Sequence, residues 1–348
     1  MKIVIVTDAW RPQINGVVTT LTETGRELEN AGHDVHYITP AGFRTIACPT
    51  YPEIRLSLFP GRRVRRRLDR LAPDVVHIAT EGPLGIAARR YCKRRGKAFT
   101  TSYHTRFPQY VRERVPIPLS LTFWWLRRFH RPAHATMVPT PAIRDELAAR
   151  GFSNVVIWGR GVDTRLFRPE PRAAYDLPGP LWVYAGRIAV EKNLEAFLDL
   201  ELPGSKILIG DGPDLARLRA RYPAALFLGY RFGDELARAV AGGDVFVFPS
   251  RTDTFGLVML EAMACGLPVA AFPVAGPVDV VTDGYDGILA DDLADACRRA
   301  LALDREQCRM TALTRSWQRS TEQFLSLLPP VVRAVAATPG RPESRAVS

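Results

Sequence analysis

The chain has 348 residues, 47% hydrophobic side chains and 28 prolines, which suits an α/β protein with two domains of ordinary size. Five cysteines (Cys48, Cys92, Cys265, Cys297, Cys308), odd in number and without a Cys-x-x-Cys pair, argue against a disulfide framework or a zinc site and for a reducing cytosol. The charge of +11 is uneven: residues 1–170 hold 28 Lys+Arg against 14 Asp+Glu, and the remainder is net −3, so the first half is expected to meet an anionic surface.

The chain opens on an apolar strand, Lys2 to Thr7, with no run of signal-peptide length. A loop, Asp8 to Gly16, leads into a predicted helix from about Val17 to Ala31. The loop lacks Gly-x-Gly-x-x-Gly, yet Gly16 puts a bare backbone amide at a helix start, where a phosphate can bind. From the residues alone a plain tight turn is equally expected there. Strands follow at Asp34–Thr39, 74–79 and 98–103, each after a helical stretch, which predicts a parallel sheet. Open sheets of this kind bind ligands beyond the carboxyl ends of their strands, where Thr101-Ser-Tyr-His104-Thr-Arg106 lies.

Two stretches carry the positive charge. Arg62, Arg63, Arg65, Arg66, Arg67 and Arg70 fall within ten residues. Residues 108–132 mix Trp124 and Trp125 with Arg127, Arg128 and other arginines and aromatics. Rings beside guanidinium groups suit a lipid headgroup interface; a core helix with a charged face ranks second and nucleic acid a distant third. The longest uncharged run, 262–278, contains three prolines and two glycines and is not a spanning helix.

A strand at Thr136–Thr140, a helix at 142–150 and a strand at Val155–Ile157 precede Gly159 to Pro171, where composition shifts. The boundary is placed there: 1–168 and 172–310 are the two domains, 311–335 is a helix returning to the first, and 338–348 is a disordered tail. The second half restarts the pattern. A strand at 181–184 runs into Gly186-Arg187 and Glu191-Lys192-Asn193, two cations at a strand's end that suit a pyrophosphate. Strands at 206–210 and 225–229 end in loops carrying Asp211 and Tyr230.

The strand 244–248 then leads into Thr252-Asp253-Thr254-Phe255-Gly256-Leu257 and a predicted helix from Phe255 to Ala264. With its cap at Thr252 or Asp253, that helix leaves the amides of Thr254, Phe255 and Gly256 unpaired, an anion site. Asp253 and Glu261 stand eight residues apart, roughly 12 Å along a helix. They are too far apart for an acid/base pair on one bond, but suited to the two ends of an extended ligand with an anionic middle, such as a nucleoside diphosphate sugar. Strands at 268–272 and 287–289 and a helix at 292–302 complete the domain.

The segment Thr252 to Glu261 resembles the acidic-x7-Glu signature of the retaining family-4 glycosyltransferases. Asp253 in place of the usual Glu resembles the branch of glycolipid synthases that glucosylate, glucuronosylate or sulfoquinovosylate diacylglycerol. The similarity runs from Ile3 to about Ala302 and takes in Gly161-Val-Asp-Thr-Arg-Leu-Phe, where Arg160 replaces the usual Asn. It implies the GT-B fold, two Rossmann-like domains with parallel sheets facing across a cleft. It also implies transfer of glucose or glucuronic acid, with retention, from a UDP-sugar to a membrane lipid. Mannosyl transfer from GDP-mannose and a non-catalytic sugar-nucleotide scaffold are the alternatives. His104, Asp253, Arg187 and Lys192 take the catalytic roles. Gly16, Asp211, Tyr230, Thr254, Phe255, Gly256, Leu257 and Glu261 bind the donor, with Glu261 on the ribose. Arg251, Arg106 and Arg160 are candidates to pair with a carboxylate-bearing sugar. Neither metal nor cofactor is expected. The protein is expected to be cytoplasmic and peripheral on the inner face of the membrane, with Arg62, Arg63, Arg65, Arg66, Arg67, Trp124, Trp125, Arg127 and Arg128 at the lipid surface and no nucleic acid bound.

Overall fold

The computed structural model describes residues 1–13, 15–48, 51–104, 118–170 and 175–331, with the backbone alone at 51–53. Arg106, residues 108–117 and the tail from 332 therefore lie outside the described residues.

Short runs of Val, Ile and Phe form strands here because they are covered on both faces, as parallel sheets require. Lys2–Val6 (β1), Asp34–Ile38 (β2), Val75–Ile78 (β5), Phe99–Ser102 (β6), Thr136–Val138 (β7) and Val155–Ile157 (β8) make one six-stranded parallel sheet, in the order β2-β1-β5-β6-β7-β8. Leu181–Ala185 (β9), Ser205–Ile209 (β10), Leu226–Gly229 (β11), Val245–Phe248 (β12), Val269–Ala271 (β13) and Gly287–Leu289 (β14) make a second, in the order β11-β10-β9-β12-β13-β14. The expected fold is therefore present: two Rossmann-like units. In each, chain direction across the sheet reverses beside the first strand, between β1 and β5 and between β9 and β12. Ligands in such sheets bind at that reversal.

Three features depart from the predicted elements. Thr45–Cys48 (β3) and Tyr51–Ser57 (β4) form an antiparallel hairpin that is absent from the predicted elements. The helix expected over 311–335 is two helices, Arg305–Leu313 and Trp317–Ser326, separated at Thr314–Ser316, where the Ser316 side chain caps the second. The helix after β12 is Leu257–Ala264, not 255–264.

The helix Trp317–Ser326 packs on the first sheet. Phe324 shares a core with Ile3, Ile5, Leu21, Leu28 and Trp158, and the Trp158 indole donates to the Ser320 carbonyl at 3.1 Å. The link between sheets passes close beneath this helix. A Cβ on Gly161 would stand 2.3 Å from the Trp317 nitrogen, so only glycine fits the crossing. Among the described residues, no helix is long and apolar enough to cross a membrane.

Candidate active site

The loops after β9 and β12 are tied together. Asn193, in the left-handed region at φ 53°, donates from its side chain to the Pro249 carbonyl at 3.1 Å. The hydroxyl of Thr252 donates to the Glu191 carbonyl at 3.3 Å. This fixes the single turn Val190–Lys192 so that the Lys192 ammonium meets both oxygens of Asp253, at 2.6 and 2.8 Å. Each side chain keeps only 19% of its exposure, and an ion pair so shielded from water holds its geometry. Arg187 follows β9 half-buried, with its carbonyl accepting from the buried Tyr184 hydroxyl at 2.8 Å.

The ion pair explains why the helix starts late. Asp253, expected as a cap, is committed to Lys192, and Phe255 turns inward to the core. The cap is instead Gly256, at φ 84°. A Cβ there would meet Met259 Cε at 2.7 Å and Phe248 Cζ at 2.9 Å, so the backbone alone occupies the helix mouth. Glu261 lies on this helix, half-buried, and burial pushes its carboxyl up to about 7. It has no ion-pair partner among the described residues.

The first sheet contributes the opposite wall. Asn15 caps the helix Gly16–Asn30 by accepting from the amides of Val17 and Val18 at 3.1 and 3.0 Å, a bond pattern that does not use the Gly16 amide. Gly16 stands against Leu257: a Cβ on it would be 3.4 Å from Leu257 Cδ1. Two helix N-termini, one from each sheet, thus meet. His104, just past β6, is joined to the other sheet through its carbonyl, which accepts from Thr254 Oγ1 at 2.7 Å. The site therefore gathers His104, Gly16, Thr254, Phe255, Gly256, Leu257, Asp253 and Lys192 around one junction.

Arg160 is not placed as the sequence reading expected. It is buried, donates from one guanidinium nitrogen to the carbonyls of Trp158 and Gly159, and from the other to His104 Nδ1 at 3.1 Å. It thus supports His104 rather than presenting a free fork to a sugar carboxylate. Composition gave no sign of this contact, which joins residues 56 apart. Arg251 is exposed, with its guanidinium carbon 3.6 Å from the centre of the Phe272 ring. Asp211 is half-buried and accepts from the Gly212 amide at 2.6 Å. Tyr230 is exposed and stacks on Phe232 at 5.8 Å, an open aromatic pair beyond β11.

The basic stretch is the helix Gly61–Leu71, whose Val64 and Leu68 are buried. Arg62, Arg63, Arg65 and Arg66 are exposed and Arg67 half-buried; none has an acidic partner among the described residues. Arg63 and Arg67 lie over the Phe43 ring, 5.3 and 5.1 Å from its centre. Beside them in the chain, Phe59 is 95% exposed, an apolar contribution that sequence reasoning missed. In the helix Leu119–His130, Phe123 and Phe129 are buried, Trp125 stacks on Phe129 at 5.8 Å, and Trp124 is 51% exposed. Arg127 and Arg128 are exposed, Arg127 donating to the Arg150 carbonyl at 3.1 Å.

Comparison with known proteins matches both halves. Residues 14–166 fit the family model described as Glycosyltransferase Family 4, and 179–303 fit Glycosyl transferases group 1. A GDP-mannose-dependent alpha-mannosyltransferase of Mycobacterium tuberculosis is 32% identical over 93% of this chain and 95% of its own. The sulfoquinovosyl transferase SQD2 of Arabidopsis thaliana is 37% identical over 80% of this chain and 59% of its own. An alpha-monoglucosyldiacylglycerol synthase of Acholeplasma laidlawii is 27% identical over 93% of each. Among solved structures, Anabaena HepE in complex with UDP and glucose superposes with a TM-score of 0.71 at 16% identity, covering 94% of this chain and 98% of its own.

Proposed function

This chain belongs to the family-4 glycosyltransferases, and from that premise we propose that it moves a hexosyl group from a UDP-sugar to a membrane lipid, with retention and without a metal. The observation that carries this reading is the meeting of the two helix N-termini at Gly16 and Leu257, beside Lys192 and beyond the strand ends of both sheets. Charge grows on the departing diphosphate during transfer. Fixed donors aimed at that charge lower the barrier most, because they need no reorganisation. Arg187, Lys192 and the amides of Gly16, Phe255 and Gly256 are assigned that role, which in other chemistries falls to a metal ion.

The rest of the donor is assigned outward from the diphosphate. Tyr230 with Phe232 offers a stacking surface for the base, and Glu261 accepts from the ribose hydroxyls. Asp253 and His104 face the transferred sugar. No side chain is assigned as a nucleophile, so the acceptor hydroxyl attacks from the face the diphosphate leaves. The expectation of an acidic sugar loses Arg160, which is committed beneath His104, and rests on Arg251 and on Arg106, which lies outside the described residues. Glucose is therefore put first and glucuronic acid second. Diacylglycerol is the proposed acceptor. It is supported by the diacylglycerol synthase among the relatives and by the arginine helix, which suits weak binding to an anionic inner leaflet.

GDP-mannose is the second reading, favoured by the 32% identity to a mannosyltransferase. A panel of UDP-glucose, UDP-glucuronic acid and GDP-mannose, incubated with diacylglycerol in anionic vesicles and followed by chromatography of extracted lipid, separates the readings. Labelled glycolipid from UDP-glucose is expected. Product from GDP-mannose alone would overturn the UDP assignment, and transfer only to a water-soluble acceptor would overturn the lipid one.

A further inference from the structure

A guanidinium group only donates hydrogen bonds. That elementary fact fixes the chemistry of His104. One nitrogen of Arg160 donates to the Trp158 carbonyl at 2.5 Å and the Gly159 carbonyl at 3.0 Å, and the guanidinium carbon lies 4.5 Å from the centre of the Trp158 ring. Trp158 is itself held by its bond to Ser320 and by its packing on Phe324. With the plane of the fork set in this way, the other nitrogen points at His104 Nδ1, 3.1 Å away. Nδ1 must then offer a lone pair, and the single proton of the neutral ring must sit on Nε2.

Nε2 is buried and has no hydrogen-bond partner among the described residues. A buried N–H without an acceptor is costly, and such groups in folded proteins usually find their partner in a ligand or ordered water. We propose that Arg160 is a positioning residue for transfer, holding His104 in the one tautomer whose Nε2–H donates to a hydroxyl oxygen of the donor hexose. The ligand half of this statement rests on the glycosyltransferase reading; the tautomer half does not.

The surroundings agree with a neutral ring. Burial, the Arg160 charge and the neighbouring His77 all hold His104 well below its ordinary value. His77 is likewise neutral, its two nitrogens bonded to Thr100 Oγ1 at 2.9 Å and Ser102 Oγ at 3.0 Å. While Arg160 occupies Nδ1, His104 therefore has no free lone pair with which to take the proton of the acceptor hydroxyl. Its contribution is a fixed donor, not a general base.

The test reads the ring directly. Long-range proton–nitrogen NMR of the histidine side chains, with the His104 signals assigned by their loss in His104→Gln, should show a protonated Nε2 and bare Nδ1 in the free enzyme from pH 6 to 8. Arg160→Met should yield a mixture of tautomers and lower kcat on the order of tenfold, with donor KM little changed, since the donor is misoriented rather than removed. Arg160→Lys should restore part of both. A proton on Nδ1, or an imidazolium, in the wild-type spectrum would overturn the proposal, and that spectrum is available even if Arg160→Met does not fold. An unaltered kcat in Arg160→Met would overturn the positioning role. Because the spectrum needs no donor, a wrong donor assignment and a wrong tautomer are told apart.

Discussion

Arginine serves opposite ends in the two halves of this molecule. In the second half, arginines on outer helices are spent within the fold. Arg217 and Arg221 both reach Glu195, at 2.8 and 2.5 Å, and Arg299 reaches Asp295 at 3.1 Å. In the first half, the helix Gly61–Leu71 presents six arginines, Arg62, Arg63, Arg65, Arg66, Arg67 and Arg70, none with an ion-pair partner among the described residues, while the helix's own Asp69 pairs with Arg95 at 3.2 Å. Self-repulsion of this kind is tolerated where something outside the chain supplies the countercharge. Charge that is balanced internally reports on stability, and charge left unbalanced reports on a partner. At the junction between the sheets both rules meet: Lys192 is balanced by Asp253, yet is one of the cations proposed for the diphosphate.

The sharpest way to break that comparison is Arg187→Ala. If this cation belongs to the ligand rather than to the fold, kcat/KM for transfer should fall roughly 10²- to 10³-fold while thermal unfolding stays near that of the parent. A large drop in Tm with near-normal specific activity would move Arg187 to the structural class.

Next in size is Gly256→Ala. A side chain at φ 84°, pressed on Met259 and Phe248, should cost about 1–3 kcal/mol and lower Tm by several degrees. Calorimetry that finds no loss would mean the helix mouth is not held as described.

Glu261 should give a smaller, pH-dependent effect. Its folded value of about 7 lies above the ordinary 4.5, so the native state keeps a proton that the unfolded chain has released. Stability is thus unaffected below about 4.5, falls as pH rises through that window, and carries the full cost above about 7. Glu261→Gln should remove this slope and gain on the order of 1–3 kcal/mol relative to the parent at pH 8 compared with pH 5. Parallel denaturation curves across that range would refute it. The parent's donor KM should also fall as the carboxylate forms, and that trend should be lost in the variant.

Smallest is the outward charge itself. Replacing Arg62, Arg63, Arg65 and Arg66 by Gln should reduce flotation with anionic vesicles, each arginine contributing about 1 kcal/mol near such a surface. Binding by the parent should weaken but persist at high salt, because exposed Trp124 and Phe59 do not depend on charge. Equal binding of parent and variant would show that the unbalanced arginines serve something else.

Much of this was legible in the chain. Runs such as Ile3-Val-Ile-Val and Val245-Phe-Val-Phe announce buried strands, and their alternation with helical stretches gives both sheets. The strand-end loops could be located for the same reason. What escaped depends on contacts between residues far apart in sequence. The commitment of Asp253 to Lys192 spans 61 residues, and with it goes the true start of the helix at Leu257. Arg160 looked like a departure from a motif, whereas its environment, Trp158 and His104, gives it a purpose that no local pattern encodes. The hairpin β3–β4 escapes the sequence because Thr45–Cys48 has no fully buried position and Pro52 interrupts the run Tyr51–Ser57, so neither reads as a core strand.

The central claim is that one diphosphate is held jointly by the two sheets. A crystal structure of the enzyme with its nucleoside diphosphate tests it most directly. The β-phosphate should lie between the Gly16 amide and the amides opening the Leu257–Ala264 helix, within hydrogen-bonding distance of Arg187 or Lys192. A diphosphate bound wholly by the second sheet, with Gly16 out of reach, would contradict the account.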